Sequence, residues 1–117
     1  MKNTILVVED DKQYQSLLQA ELKEAGFNVL VAGNGQVALD TIKNYPINLI
    51  LLDLLMPEVD GTTFYYQMKT ELKKKIPIII LTNVSDTVAY DPAIIKAVLI
   101  KANTSLAQVV SAVKAAF

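Results

Sequence analysis

The sequence contains no cysteine and no histidine. The first absence excludes disulfide scaffolds and thiolate zinc sites. The second excludes imidazole metal centres, Ser-His and Cys-His catalytic arrangements, and a phosphohistidine intermediate on this chain. Glycine and proline are scarce at 4 each, and the charged fraction of 20% stands against a hydrophobic fraction of 52%, which excludes collagen-like, low-complexity and disordered chains. An excess of one charge is also missing. With 11 Lys+Arg against 12 Asp+Glu the net charge is −1, which gives no electrostatic footprint for nucleic acid or an anionic membrane. No apolar run approaches the ~18 residues of a membrane-spanning helix, and the opening MKNTILVVEDD, where acids follow a short apolar stretch, is not expected to act as a cleavable leader. The expectation is a cytoplasmic protein without direct nucleic-acid or membrane contact. Carboxylates, hydroxyls and lysine are left to do its chemistry.

What is present is enough apolar residue for one core. At 117 residues the chain is expected to form a single domain, residues 1–117. Five short β-branched runs alternate with stretches of helical period, which predicts an α/β fold with a mainly parallel sheet. The runs are Thr4–Val8, Asn28–Ala32, Asn48–Leu52, Pro77–Leu81 and Ala97–Ile100. Leu49–Leu52 and Ile78–Leu81 are continuously apolar, as befits strands covered by helices on both faces. Tyr14, Leu17, Leu18, Leu22 and Ala25 make the apolar stripe of a first helix that Gly26 stops. Val37, Ala38 and Ile42 mark a second helix, opened by Asn34 and closed before Pro46; Phe64, Met68 and Leu72 mark a third after Gly61. Ser85-Asp86 is a candidate start for a fourth, with Pro92 inside the segment. Thr104 or Ser105 caps a last helix whose expected buried face is Leu106, Val109, Val110, Val113 and Phe117.

In an open parallel sheet, ligands sit beyond the carboxyl ends of the strands. Strand one ends there in Glu9-Asp10-Asp11, strand three in Asp53, strand four in Thr82 and strand five in Lys101. Each has a plain reading: Asp favours helix caps, a Thr at a strand end is ordinarily a capping hydroxyl, and a Lys there is ordinarily solvated. Asp53 stands apart, because Leu49–Leu52 precede it and Leu54-Leu55-Met56-Pro57 follow it. A carboxylate among buried residues costs several kcal/mol unless it is paired or bound to metal. Glu9, Asp10 and Asp53 together would repel by roughly 1 kcal/mol per pair in water and about 4 at an effective dielectric of 20. A divalent cation relieves that repulsion, and an all-oxygen ligand set favours Mg²⁺. A phosphoryl group at Asp53 would then meet the metal, the Lys101 ammonium and the Thr82 hydroxyl.

ILVVEDD at 5–11, LILLDLLMPEVDG at 49–61, Leu81-Thr82 and Lys101, in this order, resemble the receiver domain of bacterial two-component response regulators, the CheY-like family. The resemblance spans essentially the whole chain. It implies a doubly wound five-stranded parallel sheet of order 2-1-3-4-5, flavodoxin-like. It further implies that Asp53 accepts a phosphoryl group from a histidine kinase or phosphotransfer protein. Asp10, Asp53 and the Leu55 carbonyl would hold Mg²⁺, with Glu9 acting through metal-bound water. Thr82 and Lys101 would contact the phosphoryl oxygens, and drawing both inward would switch the face formed by the fourth helix, fifth strand and fifth helix. The output would pass to a downstream protein partner or an effector domain. Met56-Pro57 and Gly61 would serve the turn before the third helix.

The sequence departs from that pattern in several places. Ala102 stands where the family usually has proline after the lysine, which predicts a less firmly placed ammonium. Val98 stands where an aromatic switch residue is usual. Asn83 occupies a normally small position, from which it would crowd the phosphoryl pocket or hydrogen-bond into it. Nineteen positions separate Thr82 from Lys101, a few short of the usual spacing, which predicts a short or irregular fourth helix. Leu55 and Val84, both apolar, fall where the family tunes water access, which predicts slow loss of the phosphoryl group. The competing readings are a degenerate receiver used only as a phosphorylation-independent interaction module, an FMN-binding flavodoxin-like protein, and an aspartyl-phosphate phosphatase. Glu9-Asp10-Asp11 would repel a flavin phosphate, and Leu55 is not the second acid that a phosphatase of that kind usually needs. On the receiver reading the chain is not an enzyme beyond its own phosphorylation and slow dephosphorylation.

Overall fold

Five parallel strands, β1 (Thr4–Val8), β2 (Asn28–Ala32), β3 (Leu49–Leu52), β4 (Ile78–Thr82) and β5 (Ile95–Ile100), form one sheet in the order β2-β1-β3-β4-β5. The computed structural model describes residues 2–56, 59–83 and 90–117. Among the described residues four helices cover the sheet: α1 (Lys12–Glu24), α2 (Gly35–Asn44), α3 (Gly61–Thr70) and α4 (Leu106–Ala115), and a 3₁₀ turn at Lys101–Asn103 follows β5. This is the doubly wound 2-1-3-4-5 sheet expected from the sequence.

The layering follows from alternation along buried strands. Ile5, Val7, Leu49, Leu51, Ile79 and Leu81 pack with Leu18 and Leu22 of α1 and Val109 and Val113 of α4 on one face. Leu6, Val8, Ile50, Leu52, Ile78 and Ile80 pack with Ala38, Leu39 and Ile42 of α2 and Phe64 and Met68 of α3 on the other. Every residue of β3 and β4 is buried, as their unbroken apolar runs require. Burying each large side chain stabilises the fold by about 1.5–3 kcal/mol before chain entropy is set against it, so the two layers hold the sheet rigid.

Each helix starts on a side-chain cap. Asp11 accepts from the Gln13 and Tyr14 amides, Asn34 from Val37 and Asp60 from Thr63, while Ser105 and Gln108 form a reciprocal capping box. Gly26 ends α1 at φ +101°, a conformation open to a residue without Cβ.

Several expectations need correction. Leu17 and Val37 are exposed, at 50% and 44%. Leu17 flanks the line of Leu18 and Leu22, and buried Gln15 joins that line because its amide bonds the Glu9 carbonyl. Leu72 lies past the end of α3, which closes at Thr70, although it packs half-buried on the core. Phe117 is 53% exposed rather than buried and stacks on Phe27 at 5.9 Å. β5 begins two residues early, and its register against β4 shifts between Ile78 and Ile79. The expected start of a fourth helix at Ser85-Asp86, and its irregular course, lie outside the described residues; Pro92–Ile94 form a turn. Pro57 and Val84 also lie outside them.

Gly61 was expected as a turn residue, yet it is the first residue of α3. A Cβ there would stand 2.2 Å from the Asp53 carbonyl oxygen and 2.7 Å from the Leu54 Cα, and the Gly61 N–H donates to the Leu54 carbonyl at 3.1 Å. The requirement is therefore close approach of backbones, which seats α3 against the loop that carries Asp53. Gly61→Ala is expected to destabilise the protein by about 1–3 kcal/mol, from forced displacement of that loop, as measured by urea unfolding.

Candidate functional site

The sheet order reverses between β1 and β3, with α1, which follows β1, on one face and α3, which follows β3, on the other, so a crevice opens at the carboxyl ends of these two strands. Two backbone bonds carry the strand ladders one residue further. The Glu9 N–H donates to Ala32 at 2.9 Å and the Asp53 N–H to Val8 at 3.1 Å. Glu9 and Asp53 thereby stand side by side, 2% and 6% exposed. The buried Gln15 amide donates to the Glu9 carbonyl at 2.9 Å, and the Asp11 N–H donates to Glu9 Oε2 at 3.0 Å. Asp11 itself is committed to capping α1. Asp10 is exposed, and Glu9, Asp10 and Asp53 each offer a carboxylate oxygen within 4.8 Å of the others.

Such a cluster needs opposite charge, and Lys101 provides it. Its ammonium pairs with Glu9 Oε1 and sits 3.0 Å from Asp53 Oδ2. The other Asp53 oxygen accepts from the buried Thr82 hydroxyl at 2.8 Å and from the Leu55 N–H at 3.2 Å. The carboxylate that looked costly in the sequence is therefore paired on both oxygens. Thr82 and Lys101 already point inward, because the Asp53 carboxylate itself accepts from both.

Burial lifts the Glu9 carboxyl above its ordinary value of 4.5, and the Asp53 charge adds to this; the Lys101 ammonium and the Asp11 N–H pull back without cancelling it. Burial disfavours the Lys101 ammonium too, but its hydrogen bonds and charge pairing with Glu9 and Asp53 outweigh burial and hold its pKa above 10.5. A raised lysine contributes stability that is full below its ordinary value and is lost as pH rises through the folded one. The ion pairs are thus intact across the neutral range and fail in alkali. Glu9 also has its stabilising side at low pH: its contribution is present while the carboxyl is protonated and is lost as pH rises through the elevated value.

The cleft these groups enclose is about 450 Å³ and is also walled by Leu55, Met56 and Asn83. All the site residues named from the sequence, Glu9, Asp10, Asp53, Leu55, Thr82 and Lys101, line it. Three partners were not foreseen. The Tyr14 ring lies 5.0 Å from the Lys101 ammonium, a cation–π distance, and its phenol is raised above 10.0 first by burial. Gln15 carries Glu9, as above. The Asn83 side-chain carbonyl accepts the Ala102 N–H at 2.9 Å, so the two departures from the family pattern meet. Tyr14 had been assigned to the core stripe by its spacing, and no local signal marks a residue that serves both core and site.

The response regulator receiver domain profile matches residues 5–113. Among curated relatives, the probable transcriptional regulator ycf27 of Porphyridium aerugineum is 39% identical over 73% of this chain and 35% of its own length. The transcriptional regulatory protein CpxR of Escherichia coli K12 is 40% identical over 68% of this chain and 33% of its own. The chain thus spans about a third of the length of these relatives. Among solved structures, a CheY-like receiver domain protein from Methanospirillum hungatei superposes with a TM-score of 0.89 at 23% identity, covering 99% of this chain and 94% of that one. The response regulator TrrA of Thermotoga maritima, solved in complex with Mg²⁺-BeF, superposes with a TM-score of 0.85 at 29% identity over 100% of both chains. The chain belongs to the response regulator receiver domain family.

Proposed function

We propose that Asp53 is the phosphoacceptor of this receiver domain, modified by the phosphohistidine of a histidine kinase or phosphotransfer protein. The observation that carries the reading is the convergence of Glu9, Asp10, Asp53, Thr82 and Lys101, from four strand ends, on one cleft. An Asp53 oxygen attacks phosphorus. The O–P bond forms as the donor's N–P bond breaks, and the electron pair leaves on the donor imidazole, which solvent protonates. Thr82 and Lys101 then pass from carboxylate to phosphoryl oxygens, where the charge rises to roughly −2. Glu9, Asp10, Asp53 and the Leu55 carbonyl would hold Mg²⁺, an ion suited to their all-oxygen donor set. When bound, it neutralises charge between the acids and the incoming phosphoryl group.

On this reading the signal is a population shift read by a downstream protein or effector domain, and the chain is not an enzyme beyond its own modification and hydrolysis. Tighter engagement of Thr82 and Lys101 would be felt along β4 and β5, whose edge exposes Val98 at 54%. A phosphorylation-independent interaction module has no use for so complete a polar set, and the gathering of every member in one cleft argues against it. Leu55, 70% exposed at the cleft, offers no side-chain group to orient an attacking water, which supports a long-lived phosphoryl group.

Acetyl phosphate with Mg²⁺ is expected to label the wild-type chain and leave Asp53→Asn unlabelled; equal labelling, followed by intact mass, would end the proposal. Loss of label is expected to quicken severalfold in Leu55→Asn, because the amide can orient water. Lys101→Met is expected to destabilise the metal-free protein by roughly 2–3 kcal/mol in urea unfolding. The same variant is expected to bind Mg²⁺ more tightly by calorimetry, because ammonium and ion compete for the same Glu9 and Asp53 oxygens.

A further inference from the structure

β4 and β5 last pair at Thr82 and Ile100, and beyond that point the two chains diverge. Lys101–Asn103 form a 3₁₀ turn whose N-cap, Ile100, makes no side-chain capping bond. The first N–H groups of such a turn have no partner within it. One of them, on Ala102, is satisfied from the neighbouring strand end by the Asn83 side-chain carbonyl at 2.9 Å. That bond exists only because residue 102 retains an N–H, which proline would remove. Its position is what gives it consequence. Asn83 directly follows Thr82 and Ala102 directly follows Lys101, so one hydrogen bond ties together the two residues whose side chains grip Asp53. The far side of the turn is also held, by the Thr104 hydroxyl on the Ile100 carbonyl at 2.7 Å.

We infer that Asn83 is a positioning residue for Lys101. By holding the Ala102 N–H it fixes the turn after β5, so that the Lys101 ammonium and the Thr82 hydroxyl address the Asp53 carboxylate, and a phosphoryl group upon it, as one unit. The inference rests on the phosphoacceptor reading of Asp53 and adds to it the device that replaces proline in this chain. A lysine with four rotatable methylenes reaches a target reproducibly only if its backbone is anchored, since side-chain freedom otherwise spreads the ammonium over many positions.

Beryllofluoride serves as the phosphoryl probe and Mg²⁺ alone as the metal probe, each titrated by amide NMR shifts on wild type, Asn83→Ala, Ala102→Pro and the double variant. Urea unfolding is run in parallel. Asn83 is exposed, so its truncation is not expected to prevent folding. Asn83→Ala is expected to weaken beryllofluoride binding at saturating Mg²⁺ by roughly three- to tenfold, the equivalent of one hydrogen bond. Binding of Mg²⁺ alone is expected to hold or tighten, because a loosened Lys101 competes less for Glu9 and Asp53. Ala102→Pro removes the donor instead of the acceptor, so the double variant is expected to be no worse than the worse single. Unchanged beryllofluoride affinity in Asn83→Ala, parallel loss of Mg²⁺ affinity and stability, or strict additivity in the double variant would each overturn the inference while leaving the phosphoacceptor reading standing. A wild-type chain that takes up no beryllofluoride at saturating Mg²⁺ overturns both.

Discussion

Everything at the functional end of this protein depends on one electrostatic constraint: three carboxylates must share a few ångströms at the edge of a hydrophobic sheet. Left alone, Glu9, Asp10 and Asp53 would repel one another across the crevice. Lys101 prevents this by pairing with two of them at once, and Thr82 and Leu55 supply donors to the remaining oxygen of Asp53. Burial lifts the Glu9 carboxyl above its ordinary value, and the neighbouring Asp53 charge adds a smaller push in the same direction.

The fold earns this arrangement through strand order. Because β1 and β3 are neighbours and their helices lie on opposite faces, the first residues past each strand meet without a covering element above them. β4 and β5 then bring a hydroxyl and an amine to the same rim from the next two positions in the sheet. No loop has to reach far: Glu9, Asp53 and Thr82 leave from the ends of strands buried on both faces, and Lys101 from the end of the less buried edge strand β5.

The strands, their order through the family resemblance, and the polar residues that converge on one cleft were legible in the sequence for specific reasons. Unbroken runs such as Leu49–Leu52 can only be central strands in a chain of this size, and an aspartate directly after one announces either a partner or a ligand. The cap residues Asp11, Asn34 and Ser105 were legible because their chemistry is local. What escaped notice depends on contacts between segments distant in sequence. Tyr14 over Lys101 joins α1 to the end of β5, and Asn83 on Ala102 joins the ends of β4 and β5. Periodicity places a residue on a face of its own helix, but not opposite a side chain nearly ninety positions away. It also misjudged Leu17 and Val37, since a stripe read by spacing alone is wider than the surface its helix can bury. At Ala102 the sequence shows the missing proline ring, but not that the amide hydrogen left in its place is accepted by Asn83.

The crowding of Gly61 against Asp53 makes the cleft mechanically lopsided. On the α3 side the Asp53 backbone is braced by a helix that leaves no room even for a methyl group. On the β4–β5 side the wall is two strand ends joined past their last pair by a side chain. A bulkier residue at position 61 would therefore have to shift the Asp53 backbone itself, whereas the opposite wall is spanned by one side-chain hydrogen bond from Asn83 to Ala102.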